Sequence, residues 1–288
     1  MSRSAYRYLL RHPRLAVRKA SERLGLSDRT TNLAEEADRL ERALADVNRR
    51  LLALGVGSPT GRPFVHLDYP HAEIRLSARV PKRSDATAKE PFTVAWLESE
   101  LRGDDVVYDI GANVGAYALI AARIHGSAVR VVAFEPGAET FGVLCENIVL
   151  NGVEDQIIPF PIVLGSETEL GMFRYRDLRP GAAQHDSAGT ATDDAFVYGQ
   201  PVLQFRLDDL VRQFTLPPPT LIKLDVDGAE AAMLRGARAT LARPELREIL
   251  VELPAFADEV AALLEGAGLG AVASYERPGV EYRLYRRA

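Results

Sequence analysis

The stretch DVVYDIGANVGAYALIAA, residues 105–122, changes from an apolar strand to a helix across a turn that carries two glycines. Its apolar run ends at Asp109, and Gly111 and Gly115 follow in the turn. Glycine leaves room for another group to approach the main chain, and the first turn of a helix has unpaired N–H groups. In open α/β sheets, ligands bind beyond the carboxyl ends of the strands. The stretch therefore predicts a ligand site here, with one acid beside the turn.

Strands and helices alternate along the rest of the chain. The predicted strands are 106–110, 130–134, 156–160, 220–224, 247–252, 271–275 and 281–286. The predicted helices between and after them are 115–124, 137–150, 227–242 and 255–267. This alternation indicates βαβ units, and thus an α/β fold with a mostly parallel sheet and helices on both faces. The last two strands lie too close in sequence for a helix between them, so they are predicted to form an antiparallel hairpin.

The residues before the strand–helix alternation differ from it in pattern. Apolar residues in 33–54 recur at alternating spacings of four and three, which predicts a coiled-coil-like helix. Its apolar seam needs a partner, either a second copy of the chain or the protein's own body. We therefore expect a basic N-terminus and heptad helix over 1–56, a linker with short strands over 57–91, and the main domain over 92–288.

Composition and charge limit the class of protein. Hydrophobic residues make up 47% and charged residues 26% of 288 residues, which is typical of a globular protein with a substantial core. The single cysteine, Cys145, fits a reducing compartment, so we expect a cytoplasmic protein. Seven basic residues and one acid in 1–24 give +6, which leaves −11 on the remainder of a chain of net charge −5. The acidic body argues against nucleic acid, whereas the basic terminus could contact an anionic membrane or stay solvated.

A second acid suggests which ligand the turn holds. Glu135 ends the next predicted strand, 24 residues after Gly111, where a carboxylate is well placed to accept both hydroxyls of a ribose. A dinucleotide site would use G-x-G-x-x-G without an acid at the turn. Here the glycine spacing is different, and the carboxylate of Asp109 would repel phosphate and attract a cation. These features favour S-adenosylmethionine over a dinucleotide; an ordinary strand–helix turn with a capping Asp is the alternative.

Four motifs in order resemble the FkbM family of S-adenosylmethionine-dependent methyltransferases over about residues 95–255. They are VVYDIGANVGAYALIAA, VVAFEPGAETFGVLCENIVLNG, IKLDVDGAEAAMLRGA and ILVELP. The resemblance implies the class I methyltransferase (Rossmann-like) fold, with a seven-stranded sheet, and methyl transfer to a hydroxyl of a sugar or another polyhydroxylated metabolite. It also implies that Asn147 and Asn151 are structural. The cofactor-binding residues that it implies are Asp109, Gly111, Asn113, Gly115, Glu135, Pro136 and Val163.

The acceptor side is expected near the fourth strand of the alternation, which ends in LIKLDVDGAE. Removing a hydroxyl proton requires a base, and the candidates are Asp225, Glu230 and His185. Asp225 could instead only orient backbone amides at the following helix. Some enzymes of this fold bind Mg²⁺, but the next strand offers only Glu252 and the more distant Asp258, so we expect no metal requirement.

The segment 165–206 is too long for a simple connection, and it predicts two extra strands around a loop that contains His185. Such a loop could act as a lid over the acceptor. Three alternatives stay open at this point: methylation of nitrogen or a carboxyl, nicotinamide-nucleotide oxidoreduction, and a non-catalytic scaffold that associates through residues 33–54.

Overall fold

The computed structural model describes Arg39 and residues 59–182, 196–253, 257–277 and 279–288. It separates the chain into two units, Met1–Pro63 and Phe64–Ala288. Apart from Arg39, the predicted heptad helix 33–54 lies outside the described residues, as do the basic residues 1–24 and the candidate base His185.

The second unit holds the regular elements that follow. Its strands are β1 (Phe64–His66), β2 (Arg75–Ser77), β3 (Val106–Ile110), β4 (Arg130–Phe134), β5 (Ile157–Phe160), β6 (Val163–Leu164), β7 (Glu169–Tyr175), β8 (Tyr198–Phe205), β9 (Leu221–Leu224), β10 (Glu248–Leu253), β11 (Leu269–Arg277) and β12 (Val280–Arg287). Its α-helices are α1 (Ala86–Lys89), α2 (Pro91–Glu100), α3 (Ala116–Ile124), α4 (Ala138–Asn151), α5 (Leu207–Phe214), α6 (Glu230–Arg235), α7 (Arg238–Leu241) and α8 (Ala257–Gly266). Within the described ranges, none of the helices is both long and apolar enough to cross a membrane.

Seven strands form one sheet in the order β11-β12-β10-β9-β3-β4-β5. The five strands from β10 to β5 are mutually parallel, and β12 runs antiparallel to both β10 and β11. This confirms the predicted class I methyltransferase fold, including the hairpin at its end. The order jumps from β5 back to β9 beside β3, so the carboxyl ends of β3 and β9 flank the point where the topology switches.

The strand that opens the decisive stretch lies in the middle of the sheet. All five residues of β3 are buried, because parallel strands carry helices on both faces. Apolar side chains pack on each side in separate clusters, with Val107 in one and Tyr108 in the other. This rigid centre fixes the position of the turn that follows Ile110.

One predicted helix is divided. The sequence indicated a continuous helix over 227–242, but the structure has α6 and α7 with Gly236 between them. Asp227 and Gly228 have φ values of +53° and +105°, which no α-helix accepts, so the helix begins only at Glu230. A Cβ on Gly236 would lie 2.0 Å from the carbonyl oxygen of Gly165, so close packing in three dimensions sets this break.

The two extra strands predicted within 165–206 are present. β8 pairs with β7 and β6 in a separate three-stranded sheet. One face of the β7–β8 ribbon buries Phe173, Tyr175 and Val202 together, while Leu170 and Leu203, which pair on the other face, are exposed. The inserted sheet thereby brings aromatic side chains towards the end of β4.

Residues 64–91, predicted as part of a linker, belong to the same unit as the sheet. Ile74 and Leu76 are fully buried, and the side-chain amides of Asn147 and Asn151 on α4 hold β2 in place. Asn147 accepts the Ser77 N–H at 2.7 Å and donates to the Val114 carbonyl at 2.8 Å, which confirms its structural role. This packing positions residues 81–91 beside the sheet edge.

Candidate active site

A cleft opens at the carboxyl ends of β3, β4, β9 and β10 and encloses about 1170 Å³, including its open mouth. Most of the predicted site residues line it: Gly111, Asn113, Glu135, Pro136, Val163 and Asp225. Asp109, Gly115 and Glu230 are not among the residues that line it. The structure therefore brings six of the predicted residues together in one cleft and places these three outside its lining.

The floor of the cleft is the turn after β3. The N–H groups of Gly111 and Ala112 both donate to the Phe134 carbonyl, at 3.0 and 2.9 Å, which ties the turn to β4. Gly111 has φ +83°, and a Cβ there would lie 1.7 Å from the carbonyl oxygen of Asp225. Only glycine allows the turn after β3 to pass so close to the loop after β9. The absence of a side chain at Gly111 thus brings the loops after β3 and β9 together at the cleft.

Glu135 is buried at the end of β4 and faces the same turn. Its Oε2 accepts the Asn113 N–H at 3.0 Å and its Oε1 accepts the Gly137 N–H at 2.8 Å. Burial raises the pKa of this carboxyl to about 7, although both hydrogen bonds favour the ionised form. Each oxygen has a further lone pair, so the carboxylate can still accept hydrogen bonds from two hydroxyl groups. This geometry suits the predicted ribose contact.

Asp109 lies beneath the turn instead of in the cleft wall. It is 1% exposed, and neither carboxylate oxygen has a hydrogen-bond partner among the described residues. Burial raises its pKa to about 6, while the Lys223 ammonium opposes that rise. Gly115 begins α3 with φ +84°, and a Cβ on it would meet Leu144 at 2.5 Å, so its lack of a side chain serves packing. Neither residue lines the cleft, so their contact with a cofactor stays a prediction.

An apolar wall closes the cleft near β5. It consists of Ile162, Val163 and Leu164, which follow β5, together with Phe134 and Phe173. Flat aromatic groups fit such a surface, because it offers burial without competing polar groups. Val163 is the residue of this wall that the family resemblance implied, whereas Phe173 comes from the inserted sheet and was missed.

Two oppositely charged side chains from β9 lie on the other side of the cleft. Lys223 Nζ donates to Asp225 Oδ2 at 2.9 Å, and the Lys223 side chain is only 4% exposed. Burial on its own raises the pKa of Asp225, but the neighbouring ammonium holds it below its ordinary value. Lys223 also lies 5.0 Å from the centre of the Tyr117 ring. The candidate base Asp225 is thus the half-buried, ionised partner of a buried ammonium.

Glu252, at the end of β10, lines the cleft next to this pair. Its Oε2 accepts a hydrogen bond from the Tyr282 hydroxyl and lies 3.5 Å from Arg277 Nη2. Burial, and then the charge of Asp225, raises the pKa of Glu252 to about 7. Neighbouring carboxyls therefore differ: Asp225 stays ionised at neutral pH, and Glu252 is poised between its two forms.

Glu230, the second candidate base, supports the loop from behind. Its Oε1 accepts the N–H groups of Val226 and Gly228, at 3.2 and 3.1 Å. Burial raises its pKa, and the side chain is 1% exposed. These bonds fix the loop that carries Asp225 and Asp227, so the geometry gives Glu230 a positioning role. His185, the third candidate, lies outside the described residues.

Carboxylate oxygens of Asp225, Asp227 and Glu252 all lie within 4.8 Å of one another, which is an arrangement that oxygen-seeking cations can use. Two of these acids already have cationic neighbours, because Lys223 bonds to Asp225 and Arg277 lies beside Glu252. The side chains thus supply positive charge that a metal ion would otherwise bring. The absence of a metal requirement stays a prediction.

A sequence model of the methyltransferase FkbM domain matches residues 109–270, from the first acid of the turn to β11. The chain belongs to the FkbM methyltransferase family. Hexuronic acid methyltransferase AglP of Haloferax volcanii is 29% identical over 182 residues, which cover 62% of this chain and 70% of that protein. The 31-O-demethyl-FK506 methyltransferase FkbM of Streptomyces tacrolimicus is 28% identical over 206 residues, covering 62% of this chain and 77% of the relative.

Among solved structures, a methyltransferase FkbM from Methylobacillus flagellatus KT superposes with a TM-score of 0.43 at 13% identity. The match covers 72% of this chain and 61% of that one, so this chain spans less than two thirds of its length.

Several residues of this FkbM-family cleft escaped the sequence analysis. Arg83, Asp85, Lys89 and Glu90 reach it from the segment taken for a linker, and Arg277 reaches it from β11. Nothing local marks them, since only packing of residues 64–91 against the body brings them to the sheet edge. Lys223 was detectable, because residues two apart in a strand share a face and Asp225 had already been singled out.

Proposed function

We propose that this chain is an S-adenosylmethionine-dependent methyltransferase that methylates a hydroxyl of a sugar, a glycan or another polyhydroxylated metabolite. The single observation that carries the proposal is the pairing of Glu135 with the Gly111–Asn113 turn. The carboxylate and the turn meet through one 3.0 Å hydrogen bond at the carboxyl ends of β3 and β4, next to the switch point of the sheet.

The residues around the cleft fit the cofactor. Glu135 would hold the ribose, and the apolar wall with Val163 and Phe173 would take the adenine. The methionine part would lie over the turn at Gly111, whose missing side chain leaves the main chain accessible. Six acidic and four basic residues line the cleft, and this excess of negative charge favours a positively charged ligand over a phosphate.

The bound cofactor supplies an electrophilic methyl group on a positively charged sulfur. The chain's own part is to align the acceptor oxygen with that methyl group and to remove the acceptor's proton. Rigid loops held by Glu230 and by the Gly111 turn suit alignment, because neither can shift without breaking several backbone hydrogen bonds. Asp225, Asp227 and Glu252 at the other side of the cleft mark where the acceptor would lie.

The choice of a hydroxylated acceptor is supported by polar and charged groups on that side and by the names of the relatives. One relative is named for a hexuronic acid and another for a demethylated hydroxyl position of FK506. A hexuronic acid also carries a carboxyl group, so carboxyl methylation is the competing function that an experiment must separate.

The proposal also covers the location of the protein in the cell and its contacts there. Cys145 is a free thiol, which suits a reducing cytoplasm, and the basic residues 1–24 would allow reversible contact with an anionic membrane surface. Self-association through residues 33–54 is proposed as an alternative use of the N-terminal region.

Calorimetry followed by an acceptor screen tests the function. We expect S-adenosylmethionine and S-adenosylhomocysteine to bind and NAD to show no binding. Methyl-labelled cofactor is then incubated with methyl glucoside, glucuronic acid and methyl glucuronide, and the products are mapped by mass spectrometry. Label on a ring hydroxyl supports the proposal. Label released by mild alkali would indicate a carboxyl ester, and failure to bind S-adenosylhomocysteine would favour a non-catalytic scaffold.

A further inference from the structure

Two carboxyl groups leave neighbouring strands side by side at the acceptor side of the cleft. Val251 on β10 pairs with Leu224 on β9, so the next residues, Glu252 and Asp225, emerge together. Their carboxylate oxygens lie within 4.8 Å of each other, and both side chains line the cleft. Two carboxylates this close repel each other, so the ionisation of both is unfavourable unless a positive group or a proton neutralises one of them.

The two carboxyl groups differ in how closely a positively charged side chain contacts them. Lys223 donates directly to Asp225 at 2.9 Å from the interior of the sheet, and it keeps that carboxylate charged. Glu252 has weaker positive support, because Arg277 Nη2 lies 3.5 Å away and also donates to the Tyr282 hydroxyl at 3.2 Å. When the surroundings of two neighbouring acids push their pKa values apart in this way, one acid can act as a fixed charge and the other as a proton acceptor.

We propose that Glu252 is the general base that removes the proton of the acceptor hydroxyl, and that Tyr282 and Arg277 are positioning residues that hold its carboxylate. The proposal rests on the proposed methyltransferase function. In the step, the acceptor O–H bond breaks and its proton passes to Glu252. The acceptor oxygen forms a bond to the methyl carbon, the carbon–sulfur bond breaks, and its electron pair stays on sulfur. A sulfonium thus becomes a neutral thioether while the carboxylate becomes a carboxylic acid.

Four other acids that line or support the cleft have competing commitments. Asp225 is in the ion pair, Glu230 holds two backbone N–H groups behind the wall, and Glu135 holds two more at the ribose end. Glu90 is 2% exposed and accepts from the Thr93 hydroxyl. Glu252 alone among these five combines a place in the wall with a raised pKa, about 7, next to the acceptor side.

The proposal separates two chemical classes of acceptor. A hydroxyl must lose a proton as the methyl group arrives, so a base near neutral pKa accelerates its reaction. An ionised carboxyl acceptor has no proton to lose and would be repelled by three acids. A base at Glu252 therefore agrees with hydroxyl methylation and has no task in ester formation.

The groups that face Glu252 set the expected pH dependence. They are Lys223 and Asp225 from β9 and its loop, Asp227, Arg277 from β11 and Tyr282 from β12. The base works only when deprotonated, so kcat at saturating cofactor should rise with pH and level off above about 7. The Tyr282 hydroxyl stabilises the charged form, so Tyr282→Phe should move this rise to higher pH.

The test measures kcat against pH for wild type, Glu252→Gln, Tyr282→Phe and Tyr285→Phe. Tyr285 is the matched control, because it is on the same strand as Tyr282 but packs into the opposite core cluster. The acceptor is whichever of methyl glucoside, glucuronic acid or methyl glucuronide the wild type methylates. Calorimetry with S-adenosylhomocysteine, which needs no acceptor, reports whether each variant still folds and binds.

We expect Glu252→Gln to bind S-adenosylhomocysteine as wild type does, to lose about 100-fold or more in kcat, and to lose the pH-dependent rise. Tyr282→Phe should keep the rise at higher pH, and Tyr285→Phe should leave it in place. A Glu252→Gln enzyme that keeps the wild-type rise would overturn the proposal, as would a Tyr282→Phe profile identical to wild type. If wild type transfers methyl to none of the three sugars, the proposed function fails first, and the base proposal fails with it.

Discussion

The two halves of the cleft are built in different ways. The half near β3 and β4 uses main-chain groups and residues close in sequence, so that Gly111, Asn113 and Glu135 all lie within 25 positions. The half near β9 and β10 uses side chains from distant parts of the chain, with Lys89, Lys223 and Arg277 facing the same space. A ligand common to many enzymes can be held by a local backbone motif, whereas an acceptor is recognised by side chains that the fold must collect.

The strongest test of the local half is Gly111→Ala. A Cβ 1.7 Å from the Asp225 carbonyl oxygen, at φ +83°, cannot be accommodated without moving one loop. We expect a loss of roughly 3 kcal/mol or more in the free energy of unfolding, measured by urea titration. Gly152→Ala is the control, since Gly152 has φ +60° but open space around it, and it should cost only about 1 kcal/mol. Equal losses of unfolding free energy in the two variants would mean that the positive φ alone, and not the close approach to Asp225, makes glycine necessary at position 111.

The next test removes the acid that joins the turn to β4. Glu135→Ala should weaken binding of S-adenosylhomocysteine by about 1–3 kcal/mol, because charge-assisted hydrogen bonds are lost. Isothermal calorimetry gives the affinity. Glu139→Ala, which removes an exposed acid paired with Arg79 on the outside of α4, should leave affinity unchanged. Unchanged affinity in Glu135→Ala itself would refute the ribose contact.

A smaller effect should appear in the pH dependence of the same half. Glu135 has a pKa of about 7 in the free protein, so its carboxyl group is mostly protonated at pH 6. The ionised form is the one that accepts hydrogen bonds from both ribose hydroxyls and attracts a cation, so the proton must be lost before the ligand binds. Affinity for S-adenosylmethionine should therefore rise by about tenfold from pH 6 to pH 8. Folding raises the pKa of Glu135 above its value in the unfolded chain. The contribution of Glu135 to the free energy of unfolding is therefore present at low pH, and it is lost as the pH rises from the pKa of the unfolded chain towards 7. Glu135→Gln should flatten both trends, and an affinity curve in that variant as steep as that of wild type would assign the pH dependence to another group.

The smallest expected effect concerns the distant half. EDTA should not abolish methyl transfer, because Lys223 and Arg277 already place positive charge beside Asp225 and Glu252. Turnover of labelled cofactor before and after dialysis against EDTA measures this. Complete loss that Mg²⁺ restores would show that the three acids hold a metal ion, and the distant half would then be a metal centre.

Particular residues show how far prediction from sequence reached. The strands from 106–110 to 281–286 were placed within a few residues of the observed bounds, because buried parallel strands are marked by continuous apolar runs. The structure places Asp225, a candidate base, in the cleft, but its partner Lys223 was not predicted, and the ammonium of Lys223 favours the ionised form of Asp225. Glu230 was chosen for its charge, yet the structure turns its carboxylate towards backbone N–H groups.

The sequence by itself determined the order of strands and helices, the glycine turn and the acids at the strand ends, because these depend on hydrophobic periodicity and local backbone conformation. Only the tertiary structure decided which charged groups meet across the cleft. Glu252, Arg277 and Tyr282 come from three different strands, and Lys89 comes from a segment without a recognisable motif. A pKa depends on burial and on neighbours within a few ångströms, and those neighbours are set by how the chain folds back on itself.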